Sequence, residues 1–249
     1  MEILRLENIS LTYHTPGGET PAIKDLSFYL EEGEFLSVVG PSGCGKTSIL
    51  SLISGLMPPS GGSIAVCGKR VTGPGADIAY MLQRDQLFEW RNVRGNVLLG
   101  LEIQRKRTPE TVDYAESLLC KYGLKDFMRH HPRQLSGGMR QRVALIRTLA
   151  TSPKLLLLDE PFSALDFQTR LSVCDDVHAI IKGEGKTAVL VTHDISEAVS
   201  MSDKIALLSA RPATLKEMYR LKFAAKTPLE RRECAEFRKW FERVLKGLA

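Results

Sequence analysis

The residues with the most evident chemistry stand at 40–47: Gly40-Pro-Ser-Gly-Cys-Gly-Lys-Thr47, a glycine-rich run that fits the pattern G-x-x-x-x-G-K-[ST]. The apolar stretch Phe35 to Val39 before it reads as a strand, and Ser48 to Leu56 after it reads as an apolar helix. This is the strand, turn and helix context that a phosphate cradle requires. Gly40, Gly43 and Gly45 let the backbone wrap a triphosphate, so that successive N–H groups and the helix N-terminus point at anionic oxygens. The whole run, Pro41, Ser42, Cys44 and Ser48 included, is expected to line the nucleotide. Lys46 would reach the β- and γ-phosphates as a point charge, and the Thr47 hydroxyl would complete part of a Mg²⁺ shell. A second element fits the first: Leu155 to Leu158 is a fully apolar strand ending in Asp159 and Glu160. Side chains alternate along a strand, so the two acids point different ways and can do different work. Asp159 is expected to hold Mg²⁺ through water, and Glu160 to accept a proton from, or orient, an attacking water.

The elements that must position these groups follow from periodicity and punctuation. In the first third, short β-like runs (Ile3 to Glu7, Phe35 to Val39, Ser63 to Cys67, Ile78 to Leu82) are separated by Pro/Gly-rich turns such as Pro58-Pro-Ser-Gly-Gly62. From about Asp85 to Thr151 the pattern turns helical, with long stretches at Pro109 to Tyr122 and Gly137 to Ala150. Buried strands return at Lys154 to Leu158, Thr187 to Thr192 and Lys204 to Ser209, with a helix from Phe167 to Lys182. Strand, helix, strand with right-handed crossovers predicts a mainly parallel α/β sheet. In the last forty residues Phe237, Trp240, Phe241, Val244, Leu245 and Leu248 recur at helical spacing, a stripe expected to pack on the domain or on a second copy of the chain rather than on a membrane surface.

Composition narrows the class. The 249 residues are 43% apolar and 25% charged, an ordinary balance for a globular chain that can bury a full core. No apolar run approaches the roughly 18 to 20 residues of a bilayer span, and the start MEILRLENIS lacks a basic stretch followed by an apolar core. Both predict a chain that stays in the cytosol. Cys44, Cys67, Cys120, Cys174 and Cys234 are scattered with no C-x-x-C pair, which fits reduced thiols rather than a disulfide framework or a zinc site. The net charge of +5 is not evenly spread: residues 211–249 hold 11 Lys/Arg and 5 Asp/Glu, and the rest carry −1. A basic excess confined to the C-terminus argues against a nucleic-acid partner, whose binders place charge on the docking face of the domain.

Between the two phosphate-site elements stands Leu135-Ser136-Gly137-Gly138-Met139-Arg140-Gln141-Arg142, and with it the chain resembles the nucleotide-binding subunit of ATP-binding cassette (ABC) transporters. The resemblance covers roughly residues 2 to 210. It implies a P-loop NTPase fold: a RecA-like core with a mainly parallel sheet, an antiparallel N-terminal β subdomain and an inserted α-helical subdomain. The expected division is 1–84 and 152–210 for the nucleotide-binding core, 85–151 for the helical subdomain and 211–249 for a basic extension. It further implies that two copies sandwich two ATP molecules head to tail, with Ser136, Gly137 and Gly138 of one copy capping the γ-phosphate held by the other. Ser136 to Gly138 open a helix whose N-terminal amides suit that anion. By the same resemblance Gln83 is the Q-loop glutamine that senses Mg²⁺ and connects to the membrane partner. Asp166, in Ser163-Ala-Leu-Asp166, lies in the loop that crosses the dimer interface. His193 is the switch histidine at the γ-phosphate, and Tyr13 the aromatic that stacks on adenine.

Within the family, the blocks Gly40 to Thr47, Val71 to Gly75, Gln134 to Val143 and Asp159 to Asp166 look like those of the nitrate, sulfonate and taurine importer group, which also includes ATPases for vitamin precursors. The implied protein is an ATPase on the cytoplasmic face of the membrane. Its partners would be integral membrane permease subunits and, indirectly, an extracytoplasmic solute-binding protein. Two rivals remain open at this level: a soluble ABC ATPase acting on nucleic acid or ribosomes, and an exporter ATPase.

Overall fold

The apolar runs of the sequence become strands buried along their whole length, and these hold the phosphate loop in the middle of a sheet. The computed structural model describes residues 1–248; Ala249, the last residue of the basic extension, lies outside them. In chain order the elements are β1 (Glu2–Thr15), β2 (Gly18–Glu31), β3 (Phe35–Val39), α1 (Lys46–Ile53), β4 (Gly61–Val66), β5 (Lys69–Arg70) and β6 (Ile78–Met81). The helices α2 (Val93–Ile103), α3 (Pro109–Lys121) and α4 (Gly137–Leu149) follow. The chain then forms β7 (Leu155–Asp159), α5 (Phe167–Gly183), β8 (Thr187–Val191), α6 (Ile195–Met201), β9 (Lys204–Leu208), β10 (Leu215–Arg220), α7 (Pro228–Glu233) and α8 (Ala235–Leu248).

Two sheets result. One is antiparallel, in the order β2-β1-β4-β5; the other has the order β10-β9-β3-β8-β7-β6 and is parallel except for the β10–β9 pair at its edge. β3, β7, β8 and β9 are buried at every residue, as strands covered on both faces must be. Their alternation divides the core. Leu155 and Leu157 of β7 pack with the antiparallel sheet and α1, whereas Leu156 and Leu158 pack with α2, α3, α4 and α5. One strand therefore ties both layers to the acidic pair at its end.

The structure adds β2, β5, β10, α6 and α7 to the elements expected from the sequence, and the composition of two of these explains why. β2 was not evident because Pro21, Lys24 and Asp25 interrupt its alternation; it pairs with β1 through several register shifts and keeps one face exposed. β10 was hidden by Lys216, Glu217 and Arg220, the charged composition of an edge strand. Residues 211 onward thus add a strand to the main sheet. The apolar stripe of α8, except for Leu245, which is exposed, closes over α6, β9 and β10, where Val244 is fully buried beside Tyr219 and Leu221.

Candidate functional site

The phosphate loop runs from the end of β3 into α1. Gly45 is its pivot, with φ +117, a left-handed conformation that a residue with a side chain rarely adopts. Gly40 and Cys44 are buried, Pro41 and Ser48 half-buried, and Ser42 and Gly43 face solvent. Lys46 is 7% exposed and folds back onto its own loop, donating from Nζ to the Gly40 carbonyl at 2.9 Å and the Pro41 carbonyl at 3.0 Å. The helix begins at Lys46 itself rather than at Ser48, so the amides of the first turn lie within the loop. Burial pushes the Cys44 thiol up, although the Lys46 ammonium opposes it, and this cysteine is an inert wall of the loop. Tyr13, on β1, reaches across to Ser48, the two hydroxyls standing 2.8 Å apart.

The two acids at the end of β7 separate as their alternation predicts, and a backbone feature adds to the separation. Asp159 is the last strand residue. Its Oδ1 accepts from Thr47 Oγ1 at 3.3 Å and its Oδ2 from Tyr80 Oη at 3.1 Å. Burial raises the Asp159 carboxyl above its ordinary range, and the Tyr80 and Thr47 hydrogen bonds oppose that rise. Glu160 follows at φ 43, a left-handed conformation held by its N–H donating to the Val191 carbonyl at 2.9 Å and by Ser163 Oγ donating to its carbonyl at 3.0 Å. Strained backbone of this kind concentrates where a side chain must be aimed. Here it turns the Glu160 carboxylate away from Asp159 and toward Gln83 and His193. Gln83 Nε2 donates to Glu160 Oε2 at 3.4 Å, and His193 Nδ1 lies 3.2 Å from the same oxygen.

Lys46, Thr47, Asp159, Glu160, Gln83 and His193 are thereby linked into one region. Gln83, expected beside Thr47 and Asp159, bonds instead to Glu160 and to Ser163 Oγ at 3.4 Å. The donor set suits Mg²⁺: a hydroxyl and a carboxylate, both hard oxygens, face each other next to a phosphate cradle, and this ion binds through one or two protein oxygens plus substrate phosphates and water.

Ser136, Gly137 and Asp166 stand elsewhere, with Arg84, Asp85 and Arg140, in a cleft of about 570 Å³ to which no residue of the phosphate loop contributes. Ser136 caps α4 by accepting from Met139 N–H at 3.2 Å, and Asp166 caps α5 by accepting from Thr169 N–H at 3.0 Å. Gly138 is required by close approach, because a Cβ there would meet Val173 Cγ2 of α5 at 2.8 Å. Tyr80 and Arg84 escape sequence reasoning, and Ser163 and Arg140 stand in motifs read from the sequence without a role of their own. Tyr80 alone carries a usable signal, since pairing Ile78 to Leu82 beside Lys154 to Leu158 in parallel register brings it next to the acids.

A buried parallel sheet with a phosphate loop after its central strand β3 and an acidic pair at the end of β7, one strand beyond its neighbour β8, defines a P-loop nucleoside triphosphatase. Comparison with known proteins narrows this. The family model for ABC transporters matches residues 23–163, more than half of the chain. The chain is 46% identical over 250 residues to an uncharacterized ABC transporter ATP-binding protein, YtlC, of Bacillus subtilis, with 100% of this chain and 96% of that protein covered. It is 45% identical over 216 residues to the taurine import ATP-binding protein TauB of Escherichia coli, covering 87% of this chain and 84% of that one. Among solved structures, the dimeric post-hydrolysis state of the ATP-binding cassette MJ0796, bound to ADP and Pi, superposes with a TM-score of 0.74 at 29% identity, covering 89% of this chain and 100% of that chain. The chain belongs to the ABC transporter family, as an ATP-binding subunit with ATPase activity.

Proposed function

We propose that this chain powers a multi-subunit importer, working as a head-to-tail pair with ATP held between two copies. The observation that carries the reading is the division of the chain into two half-sites: the phosphate loop with Lys46 opens in one place, and Ser136 opens in a separate cleft beside Asp166. Neither alone surrounds a triphosphate. A second copy facing the first would bring its Ser136, Gly137 and Gly138 amides to the γ-phosphate that Lys46 holds.

In this reading the Lys46 ammonium exchanges its two loop carbonyls for β- and γ-phosphate oxygens. Glu160 receives a proton from the attacking water or orients it, and its carboxylate is aimed by the left-handed backbone. His193 and Gln83 fix that carboxylate and reach toward the γ-phosphate, while Tyr13 stacks on adenine. Thr47 and Asp159 would hold Mg²⁺, which when bound would neutralise charge on the β- and γ-phosphate oxygens, and Gln83 would reach the ion only by leaving Glu160 and Ser163. Residues 85–151 form the helical subdomain between the core segments 1–84 and 152–210, and they pass closure of the pair to permease helices at the cytoplasmic face of the membrane. Among the described residues no helix is long and apolar enough to cross a membrane, so the pore would belong to other chains.

The cargo reading follows the relatives: TauB is named for taurine import, and this chain matches it at 45% of the 216 aligned residues. A sulfonate, nitrate or vitamin-precursor solute, delivered by an extracytoplasmic binding protein, is the proposed class, and no nucleic acid takes part. The test is to isolate the chain from its native membrane as the ATP-trapped Glu160→Gln form and identify what copurifies. A permease, together with a binding protein whose melting temperature rises with taurine, an alkanesulfonate, nitrate or a thiamine-precursor pyrimidine, supports it. Recovery of ribosomal or nucleic-acid partners and no permease overturns it.

A further inference from the structure

One side chain joins the two half-sites within a single chain. Arg170 sits in the first turns of α5, and its Nη2 donates to the Leu165 carbonyl at 3.0 Å. The same guanidinium places Nη1 3.5 Å from Asp194 Oδ2 and Nε 3.9 Å from Glu197 Oε1. Leu165 belongs to the Ser136 cleft and touches the start of α4, where a Cβ on Gly137 would lie 3.0 Å from Leu165 Cδ2. Asp194 follows His193 directly. Its Oδ1 accepts from the Ser196 N–H at 2.7 Å and the Glu197 N–H at 3.2 Å, and its own N–H donates to Thr192 Oγ1 at 3.0 Å. Thr192 Oγ1 in turn donates to the buried Glu197 carboxylate at 2.6 Å. His193, itself exposed, stands between two anchored neighbours, and Arg170 is paired with that anchor.

We propose that Arg170 is a positioning residue that couples the Leu165–Asp166 turn to His193, so that the seating of a second copy on that turn sets where the histidine stands relative to Glu160. This rests on the head-to-tail reading for what presses on the turn. The link itself stands on the contacts of one chain. Arginine suits the task because its planar fork serves a carbonyl and a carboxylate at once, which a lysine ammonium on a flexible stem does not.

The test uses the full chain as Arg170→Ala, Arg170→Lys, His193→Ala and the double variant Arg170→Ala/His193→Ala. Arg170→Ala is expected to lower kcat about tenfold to a hundredfold, the scale of a small misplacement of a reacting group, while KM for ATP stays within about twofold. In the double variant the loss should equal that of His193→Ala alone, because residues acting through one another are not additive. Additive losses, or full kcat in Arg170→Lys, would mean that Arg170 only balances charge, and the proposal fails. Hydrogen exchange supplies a readout independent of turnover: the amides of Ser196 and Glu197 should exchange faster in Arg170→Ala and Arg170→Lys, and unchanged protection overturns the proposal. If His193→Ala keeps full activity, the hydrolytic role of the histidine is wrong, and the exchange experiment still decides whether Arg170 holds its loop.

Discussion

His193 Nδ1 lies 3.2 Å from Glu160 Oε2, an oxygen that also accepts from Gln83 Nε2 at 3.4 Å. Three segments from three strand ends meet at one carboxylate oxygen. The sheet order makes this meeting possible, because β7 lies between β6 and β8, the strands that precede Gln83 and His193.

Replacing that carboxylate by an amide keeps its size and removes its basicity. Glu160→Gln is expected to lower the ATPase rate by about 10²- to 10⁴-fold, the usual contribution of a placed base. The variant should also elute as a dimer in ATP and as a monomer in ADP during size-exclusion chromatography. Turnover near the unaltered rate would remove Glu160 from the role of base.

Chelating the divalent ion should separate binding from turnover. With EDTA the chain is expected to lose hydrolysis while still binding ATP through the loop amides and Lys46, whereas Lys46→Ala should weaken ATP binding itself by roughly 1.5–3 kcal/mol, the range for a hydrogen bond to a charged group. Fluorescent-nucleotide titration with and without Mg²⁺ distinguishes the two.

Tyr13 has two possible contributions, a hydroxyl contact to Ser48 and a ring surface. Tyr13→Phe keeps the ring and should leave nucleotide affinity nearly unchanged. Tyr13→Ala should weaken it by about 1–3 kcal/mol, as the loss of one base-stacking ring does. Equal affinities for both variants in calorimetric titration would show that the ring does not touch the base.

His178 makes stability depend on acidity. It lies on the buried face of α5, 5% exposed, with an unpartnered Nε2 and a pKa lowered from 6.5 to about 4 by burial, then by Arg231 and Lys182, against Asp203. Its contribution is fully present above pH 6.5 and is lost as pH falls toward about 4, since in that window the unfolded chain binds a proton that the folded chain refuses. The loss is about 3 kcal/mol at full extent. Thermal melts from pH 7.5 to 4.5 should show a fall in Tm that His178→Leu reduces; an identical slope in both proteins would rule His178 out as the source.

The legibility of these features in the sequence follows their physical cause. The phosphate loop was readable because the glycine spacing leaves few conformations, and the buried strands because burial on both faces makes their runs mostly apolar. Local bounds were less so: α1 begins at Lys46, two residues before the apolar run suggests, since a helix start is set by backbone geometry and not by hydropathy. The partners of Asp159 and Glu160 were less readable still. Tyr80 owes its place to β6 lying beside β7, and the left-handed turn at Glu160, which Ser163 braces from three residues on, leaves no mark in composition.

The placement of β3 between β8 and β9 also bears on how the chain is made. The strand that presents the phosphate loop emerges early in synthesis, yet both of its hydrogen-bonded neighbours lie at residues 187–208, and the edge strand β10 comes later still. Until those residues leave the ribosome, β3 has two open edges and an apolar surface on each face. Such long-range pairing is slow to form and exposed to aggregation. A nascent chain stalled before residue 187 would present the whole nucleotide loop on a strand lacking both of its hydrogen-bonded neighbours, and exposure to chaperones in that interval is the physical cost of building the site from segments far apart in the chain.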